Sequence, residues 1–190
     1  MLDTAGAVTI DRFSQRREEM FEKGDYVVYG TRGVCLIRDI APVDLPGVDR
    51  DRLYYIMCPV QGGSGTVYLP IDSTKAVIRR VMSEQEARQL IDDIPRIEQL
   101  RVEDDKNREA SYKEAMRSCS SRAWVSVIKT LSLRKRERIA AGKKITALDE
   151  RYLKAAEQEL YGELSVALGI PRDEMESYIQ EHMGKKRENT

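Results

Sequence analysis

The chain has 190 residues, of which 41% are hydrophobic and 34% charged, and its 32 basic and 32 acidic residues give a formal net charge of zero. This length and composition allow one large or two small folded domains, and the zero total excludes attraction to nucleic acid through overall charge. No apolar run approaches the ~20 residues that cross a bilayer, no signal peptide is visible, and three scattered cysteines favour a reducing cytoplasm over a disulfide framework.

The first half of the chain is rich in Gly, Val, Ile and Tyr and predicts a β domain. Short apolar segments predict strands at residues 26–29, 34–40, 53–58, 66–70 and 76–78. Residues 30–33 predict a tight turn, and the glycine-rich residues 61–65 predict a hairpin turn. Several short strands with closely spaced turns are typical of a small barrel.

After residue 82 the composition changes and helix signals begin. Ser83 with Glu86 forms a capping box, in which each side chain satisfies a backbone N–H of the other residue. Pro95 disfavours continuation of this first helix. Residues 103–118 predict a second helix, and a stripe of apolar residues that begins at Trp124 predicts a third. The stripe favours a tryptophan packed in the core, and insertion of its ring into a DNA base step is the alternative.

Two further helices follow. Thr146 is a suitable N-cap for the fourth helix, and Gly169 stands where a C-cap glycine would end it. Pro171 suits the first turn of a fifth helix, which we expect to run to about Met183. The second half therefore predicts a compact all-helical domain of about five helices.

No catalytic or metal site can be assembled from the sequence. His182 is the only histidine, so a multi-histidine site is excluded, and a solvated helix-end residue is favoured over a helix-end charge interaction. Cys35 and Cys58 lie in apolar strands and have no histidine base beside them, which favours buried side chains over nucleophiles. We expect a protein that is not an enzyme and needs no cofactor, metal or small-molecule substrate.

Charge is strongly segregated along the helical half. Residues 83–105 contain eight acids and three bases, whereas residues 129–144 contain seven bases and one acid. A basic segment at a helix end can contact several phosphates, and each contact makes log K fall by roughly 0.9 per unit of log salt concentration. The alternative is a solvated helix end whose cations complement the helix dipole.

Residues 20–34, MFEKGDYVVYGTRGV, closely resemble the opening of CarD/CdnL proteins, which share this module with the transcription-repair coupling factor. Further segments resemble the family at residues 53–57, 66–70, 112–113 and 160–164. The resemblance covers about residues 20–170, although a KOW-type module has a similar Gly-Asp-x-Val pattern.

The resemblance implies an α+β protein in which a small Tudor/SH3-like barrel docks on the RNA polymerase β subunit. An exposed strand edge can pair with a partner strand, and the candidates are Thr66, Val67, Tyr68 and Leu69. Tyr68 stands where some members carry a basic residue. The helical domain would touch promoter DNA at the upstream edge of the melted region and modulate open-complex stability.

Candidate DNA contacts come from two arguments. By resemblance, Lys113 matches the family's lysine in the Tyr-Lys pair, which is Tyr112-Lys113 in this chain. In this chain Arg108 stands four residues before Tyr112, and no tryptophan is near. Arg108 is a candidate for minor-groove entry by charge. By charge alone, the further candidates are Arg134, Lys135, Arg136, Arg138, Lys143 and Lys144.

We therefore expect a flexible leader at residues 1–19, a Tudor-like polymerase-interaction domain at 20–82, a helical DNA-binding domain at 83–184 and a flexible tail at 185–190. The expected protein is a monomeric, cytoplasmic, bacterial transcription regulator whose partners are RNA polymerase and promoter DNA, with no membrane contact. The alternative is a KOW/SH3-like binding protein associated with RNA or the ribosome.

Overall fold

The structure is a computed structural model, and it describes residues 20–188 apart from residues 45, 47, 48, 50, 62–64 and 103–105. The side chains of residues 185–188 lie outside this description. The expected leader, the last two residues of the expected tail, most of the predicted hairpin turn and the acids at 103–105 also lie outside the described residues.

The β half, residues 20–82, forms one antiparallel sheet. Its strands are β1 (Tyr26–Tyr29), β2 (Val34–Pro42), β3 (Leu53–Pro59), β4 (Val67–Pro70) and β5 (Ile78–Arg80). Their order is β4-β3-β2-β1-β5, so β4 and β5 are the two edges of a barrel-like sheet. The first four predicted strands are confirmed to within two residues.

The fifth strand was predicted two residues too early, at residues 76–78. The pairing residues are instead Ile78, Arg79 and Arg80, which lie opposite Tyr29, Val28 and Val27 of β1. Two consecutive arginines carry no apolar alternation, so the pattern that predicts strands does not include them.

The helical half begins at residue 83. Its helices are α1 (Glu84–Asp93), α2 (Arg108–Arg117), α3 (Ser121–Ala140), α4 (Ala147–Leu168) and α5 (Met175–Glu188). The capping box of Ser83 and Glu86 is formed, Thr146 caps α4 by accepting the Asp149 N–H, and Gly169 ends α4 with φ 66°. Within the described residues, five helices follow the β sheet, which confirms the predicted α+β class.

Three helix boundaries differ from the prediction. Helix α2 begins at Arg108 rather than at residue 103. Pro171 precedes a 3-10 turn, Arg172–Glu174, and α5 starts only at Met175. Helix α5 then continues to Glu188, beyond the predicted end at about Met183, since lysine, arginine and glutamate are good helix formers. The expected flexibility of the tail stays a prediction.

Two hydrophobic cores share the sheet. The barrel core is built from Phe21, Val27, Cys35, Ile37, Tyr55, Met57 and Leu69. Their neighbours Val28 and Val34 face the other way and belong to the helical core, which also holds the fully buried Trp124. Successive residues of a strand point to opposite faces, so β1 and β2 supply both cores, and the predicted core position of Trp124 is confirmed.

No described helix combines the length and the apolar character that a membrane crossing needs.

Candidate functional site

The outer edge of β4 is open to pairing. The Ile71 N–H donates to the Leu53 carbonyl at 3.2 Å, and Tyr68 lies opposite Ile56 in the register of β3 and β4. Backbone groups alternate in direction along an antiparallel ladder, so those of Tyr68 point away from β3. In the described part of the chain no strand lies beyond β4.

The side chains of β4 also alternate. Leu69 is buried in the barrel core and Val67 is half-buried against it, whereas the Tyr68 side chain is 41% exposed. Thr66, the fourth predicted polymerase-binding residue, is exposed and lies just before the strand. The predicted set therefore divides into two residues that face outward and two that hold the fold.

A second surface lies at the turn between α3 and α4, and we call residues 135–144 the cationic turn. Lys135, Arg136, Lys143 and Lys144 are exposed there, and within the described residues no ion pair or hydrogen bond engages their side chains. Arg138 has a different role, because its Nε donates to the Lys144 carbonyl at 2.7 Å and closes the turn.

Arg108 and Arg134 point inward rather than toward this surface. The Arg108 Nε lies 3.2 Å and the Arg134 Nε 3.8 Å from the carboxylate oxygens of Asp149, which is fully buried at the start of α4. The Tyr112 hydroxyl is 3.4 Å from the same carboxylate. These contacts tie α2, α3 and α4 together, so the charge of both arginines compensates a buried acid.

Lys113 is exposed on α2 but is not isolated. Its Nζ lies 3.3 Å from the Glu109 carboxylate, which also accepts from Arg151 at 2.9 Å and from the Tyr152 hydroxyl at 3.3 Å. The hydrogen bond from Lys113 is the main reason why the pKa of Glu109 is lowered. Lys113 therefore belongs to a separate, partly compensated charge cluster.

An exposed isoleucine stands in the cationic turn, and the sequence reasoning missed it. Ile139 is 59% exposed and lies one residue before the end of α3. The apolar stripe of α3 contains Trp124, Val127 and Leu131, and the i, i+8 spacing of such a stripe includes residue 139. The spacing alone therefore predicts a buried residue, and the sequence carries no signal for its exposure.

The acids of α1 do not neutralise the cationic turn. Asp93 accepts from Arg122 at 2.9 Å, and Arg88 binds Glu84 at 2.7 Å. Asp92 lies 2.9 Å from His182 Nε2, so the expectation of a merely solvated histidine was wrong. The bases that pair with these acids come from α1, α3, α5 and the turn after α1, and none of them is one of the four exposed cations.

The β half and the helical half meet at a buried carboxylate that the sequence reasoning also missed. Glu163 of α4 is fully buried and accepts hydrogen bonds from Arg79 on β5, from Ser121 at 2.8 Å and from the Met82 N–H at 3.1 Å. The Arg79 guanidinium also lies 5.7 Å from the centre of the Trp124 ring. In the sequence, the signal for this buried carboxylate was an acidic residue between the apolar residues 160 and 164.

The cysteines form no reactive centre in the described part of the chain. Cys35 is buried, as predicted, and burial is the main cause that raises the pKa of its thiol to about 11, so it remains protonated near neutrality. Cys58 is only half-buried, contrary to expectation. Among the residues that the structure describes, no group of three or more His, Cys, Asp or Glu side chains is placed to hold a metal ion.

Comparison with known protein families gives a match in the β half. The model of the CarD-like/TRCF RID domain matches residues 21–82, a range that takes in all five strands and ends just before the capping box of α1. No curated protein matches the chain. The match is therefore to the β half, and the resemblance of the helical half to the same proteins stays a prediction.

Proposed function

Because residues 21–82 form a CarD-like/TRCF RID domain, the module of a transcription-related family that interacts with RNA polymerase, we propose that this chain is a transcription regulator without catalytic activity. It binds the polymerase β subunit through the β half and promoter DNA at the upstream edge of the bubble through the helical half. The observation that carries the proposal is the family match over a sheet whose β4 edge is open.

The polymerase contact is strand addition at β4. Main-chain hydrogen bonds supply affinity in this mode, and outward-facing side chains supply specificity. Tyr68 offers both, because its backbone groups and its side chain point away from the barrel core. Aromatic residues that become buried at the centre of an interface contribute strongly to affinity, so Tyr68 is the proposed anchor.

The DNA contact is the cationic turn. Lys135, Arg136, Lys143 and Lys144 present four exposed positive charges, which suit backbone phosphates. Through phosphate contacts alone the protein would bind the closed and the melted promoter equally well. A ligand shifts the equilibrium between these two states only if its affinity for them differs. Ile139 supplies that difference, because an apolar side chain gains contact with a base only where the base step has opened.

Polymerase binding is tested with a matched pair of tyrosines. Tyr68→Ala should weaken binding to a β subunit fragment by about tenfold, about 1.4 kcal/mol. Tyr26→Ala removes an equally exposed tyrosine, 43% against 41%, from β1 and should leave affinity within about twofold. Tyr68→Pro removes an outward-facing N–H, which an edge strand tolerates, and should abolish binding without unfolding the chain.

The regulatory role is tested by promoter opening kinetics with polymerase and the protein. The quadruple charge reversal at Lys135, Arg136, Lys143 and Lys144 should remove the effect on opening while polymerase binding persists. Absence of any complex with polymerase at low salt and micromolar concentration would overturn the proposal. Stronger binding to structured RNA than to a forked promoter would favour the RNA-associated alternative instead.

A further inference from the structure

A small, partly open cavity lies between the β half and α4, apart from both proposed binding surfaces. It has a volume of about 160 Å³. The β half contributes Arg32 and Gly33 from the turn between β1 and β2 and Gln61 from the turn after β3, and α4 contributes Glu159 and Gly162. A change of charge or hydration in this cavity therefore acts on the contact between the β half and the helical half.

Two buried oxygens face this cavity without a hydrogen-bond partner among the described residues, namely Glu159 Oε2 and Gln61 Oε1. Each lies against a glycine of the opposite half. A Cβ at Gly33 would stand 3.1 Å from Glu159 Oε2, and a Cβ at Gly162 would stand 3.3 Å from Gln61 Oε1. A buried acceptor that lacks a donor destabilises a fold, and here two acceptors share one small space.

A proton on Glu159 removes this conflict. An ionised carboxylate only accepts hydrogen bonds, whereas a neutral carboxyl carries one O–H donor. Arg32 of the β half lines the same cavity, and the guanidinium of Arg79 is engaged by Glu163. No described side chain donates to Glu159 Oε2, so protonation of the carboxyl itself is the direct way to provide a donor.

The charges around Glu159 act in both directions. Burial has the largest effect and raises the pKa of Glu159. Arg172 after α4 lowers this pKa, Glu163 one turn along α4 raises it, and the net result is a pKa of about 7. Two thiols interact electrostatically with the carboxyl, that of Cys35 in the β half and that of Cys119 before α3. Burial and the influence of Glu159 raise the pKa of both thiols, so both stay neutral as Glu159 titrates.

We propose that Glu159 is a proton-operated latch between the β half and the helical half of this protein. In the neutral form its carboxyl donates to Gln61 Oε1 and holds the β1–β2 turn and the turn after β3 against α4. In the ionised form the carboxylate draws water into the cavity, and this contact loosens. The latch would set how rigidly the RID domain is held on the helical half, and it does not depend on either proposed partner.

The latch is tested by amide hydrogen exchange of residues 30–35 and 58–61 at pH 6 and pH 8, expressed as protection factors so that the intrinsic pH dependence of exchange cancels. In the parent protein, protection of these segments should fall at least threefold from pH 6 to pH 8. Glu159→Gln carries a permanent N–H donor and should show the same protection at both pH values.

A neighbour on the same helix provides the matched control. The pKa of Glu157 is also raised, first by burial and then by Glu176, but Glu157 does not line the cavity. Glu157→Gln should therefore keep the parent's pH dependence. Equal pH dependence in the Glu159→Gln variant, or none in the parent, would overturn the latch.

A second measurement serves if Glu159→Gln fails to fold. Carbon-13 NMR of the glutamate carboxyls in the parent should show Glu159 titrating near pH 7. Gln61→Leu removes the acceptor of the neutral form and should move that titration to lower pH. A Glu159 that titrates in the ordinary range for glutamate, about 4 to 5, would refute the proposal directly.

Discussion

The carboxylate of Glu163 depends on one guanidinium that crosses from the β half. Arg79 supplies two of the four hydrogen bonds that Glu163 accepts, and its Nε also donates to the Cys119 carbonyl at 2.7 Å. Arg79→Met removes the charge and these donors but keeps an apolar stem beside Trp124. The variant therefore leaves a fully buried carboxylate without its counter-charge.

The magnitude follows from the burial of the pair. Removing one partner of a buried ion pair typically costs about 3–5 kcal/mol. The Arg79 side chain is 32% exposed, and Ser121 and Met82 still donate to Glu163 after the substitution. We therefore expect Arg79→Met to lower the free energy of unfolding by about 3 kcal/mol, the lower end of that range.

Urea unfolding followed by circular dichroism measures this change, and a double-mutant cycle isolates the pair. Adding Glu163→Leu to Arg79→Met removes the stranded charge and should restore at least about 1 kcal/mol, since apolar replacements of buried pairs are often neutral. Arg88→Met, which breaks the exposed pair with Glu84, should cost less than about 1 kcal/mol. A loss below about 1 kcal/mol in Arg79→Met, or purely additive costs, would refute the reasoning.

Three further outcomes are expected. The charge reversal of the cationic turn should reduce the slope of log K against log salt for DNA by about 3.6, the value for four phosphate contacts, with filter binding as the assay and an unchanged slope as the contrary result. The pKa of Glu159 is raised from 4.5 to about 7, so its contribution to stability is complete below pH 4.5 and is lost as pH rises through 7. In the parent this loss should be about 2 kcal/mol after allowance for partial solvation. Thermal melts should show no such loss in Glu159→Gln. Gly169→Ala places a Cβ at φ 66° and should cost about 1 kcal/mol in urea unfolding, and no change would show that the helix end has moved.

Most of the fold could be predicted because its signals are local. The strands β1 to β3 follow apolar runs, and the ends of α1 and α4 follow the capping residues Ser83, Thr146 and Gly169. Strand β5 could not be predicted in place, because its pairing depends on where β1 lies and not on its own arginines. Local chemistry also does not reveal that Val28 and Val34 leave the barrel core for the helical one.

The candidate site was less accessible to prediction, because a count of charges does not state which charges remain at the surface. Of the predicted DNA-contacting residues, Arg108 and Arg134 compensate Asp149, Arg138 closes a turn and Lys113 shares Glu109. Which base meets which acid is decided by the packing of α2, α3 and α4, and no spacing in the sequence encodes it.

Internal partners, both buried acids and backbone carbonyls, therefore set how much positive charge the helical half can offer to DNA. If all seven bases of residues 129–144 contacted phosphates, log K would fall by about 6 per unit of log salt, whereas the four exposed ones give a fall of about 3.6. Lys129 is among the bases that are already used, since its Nζ donates to the carbonyls of Ile94 and Pro95 at 2.9 and 3.1 Å. A measured slope steeper than about −5 would mean that Arg134 or Lys129 leaves its internal partners when the protein binds DNA. The free energy of unfolding of the helical half would then have to fall as its affinity for DNA rises.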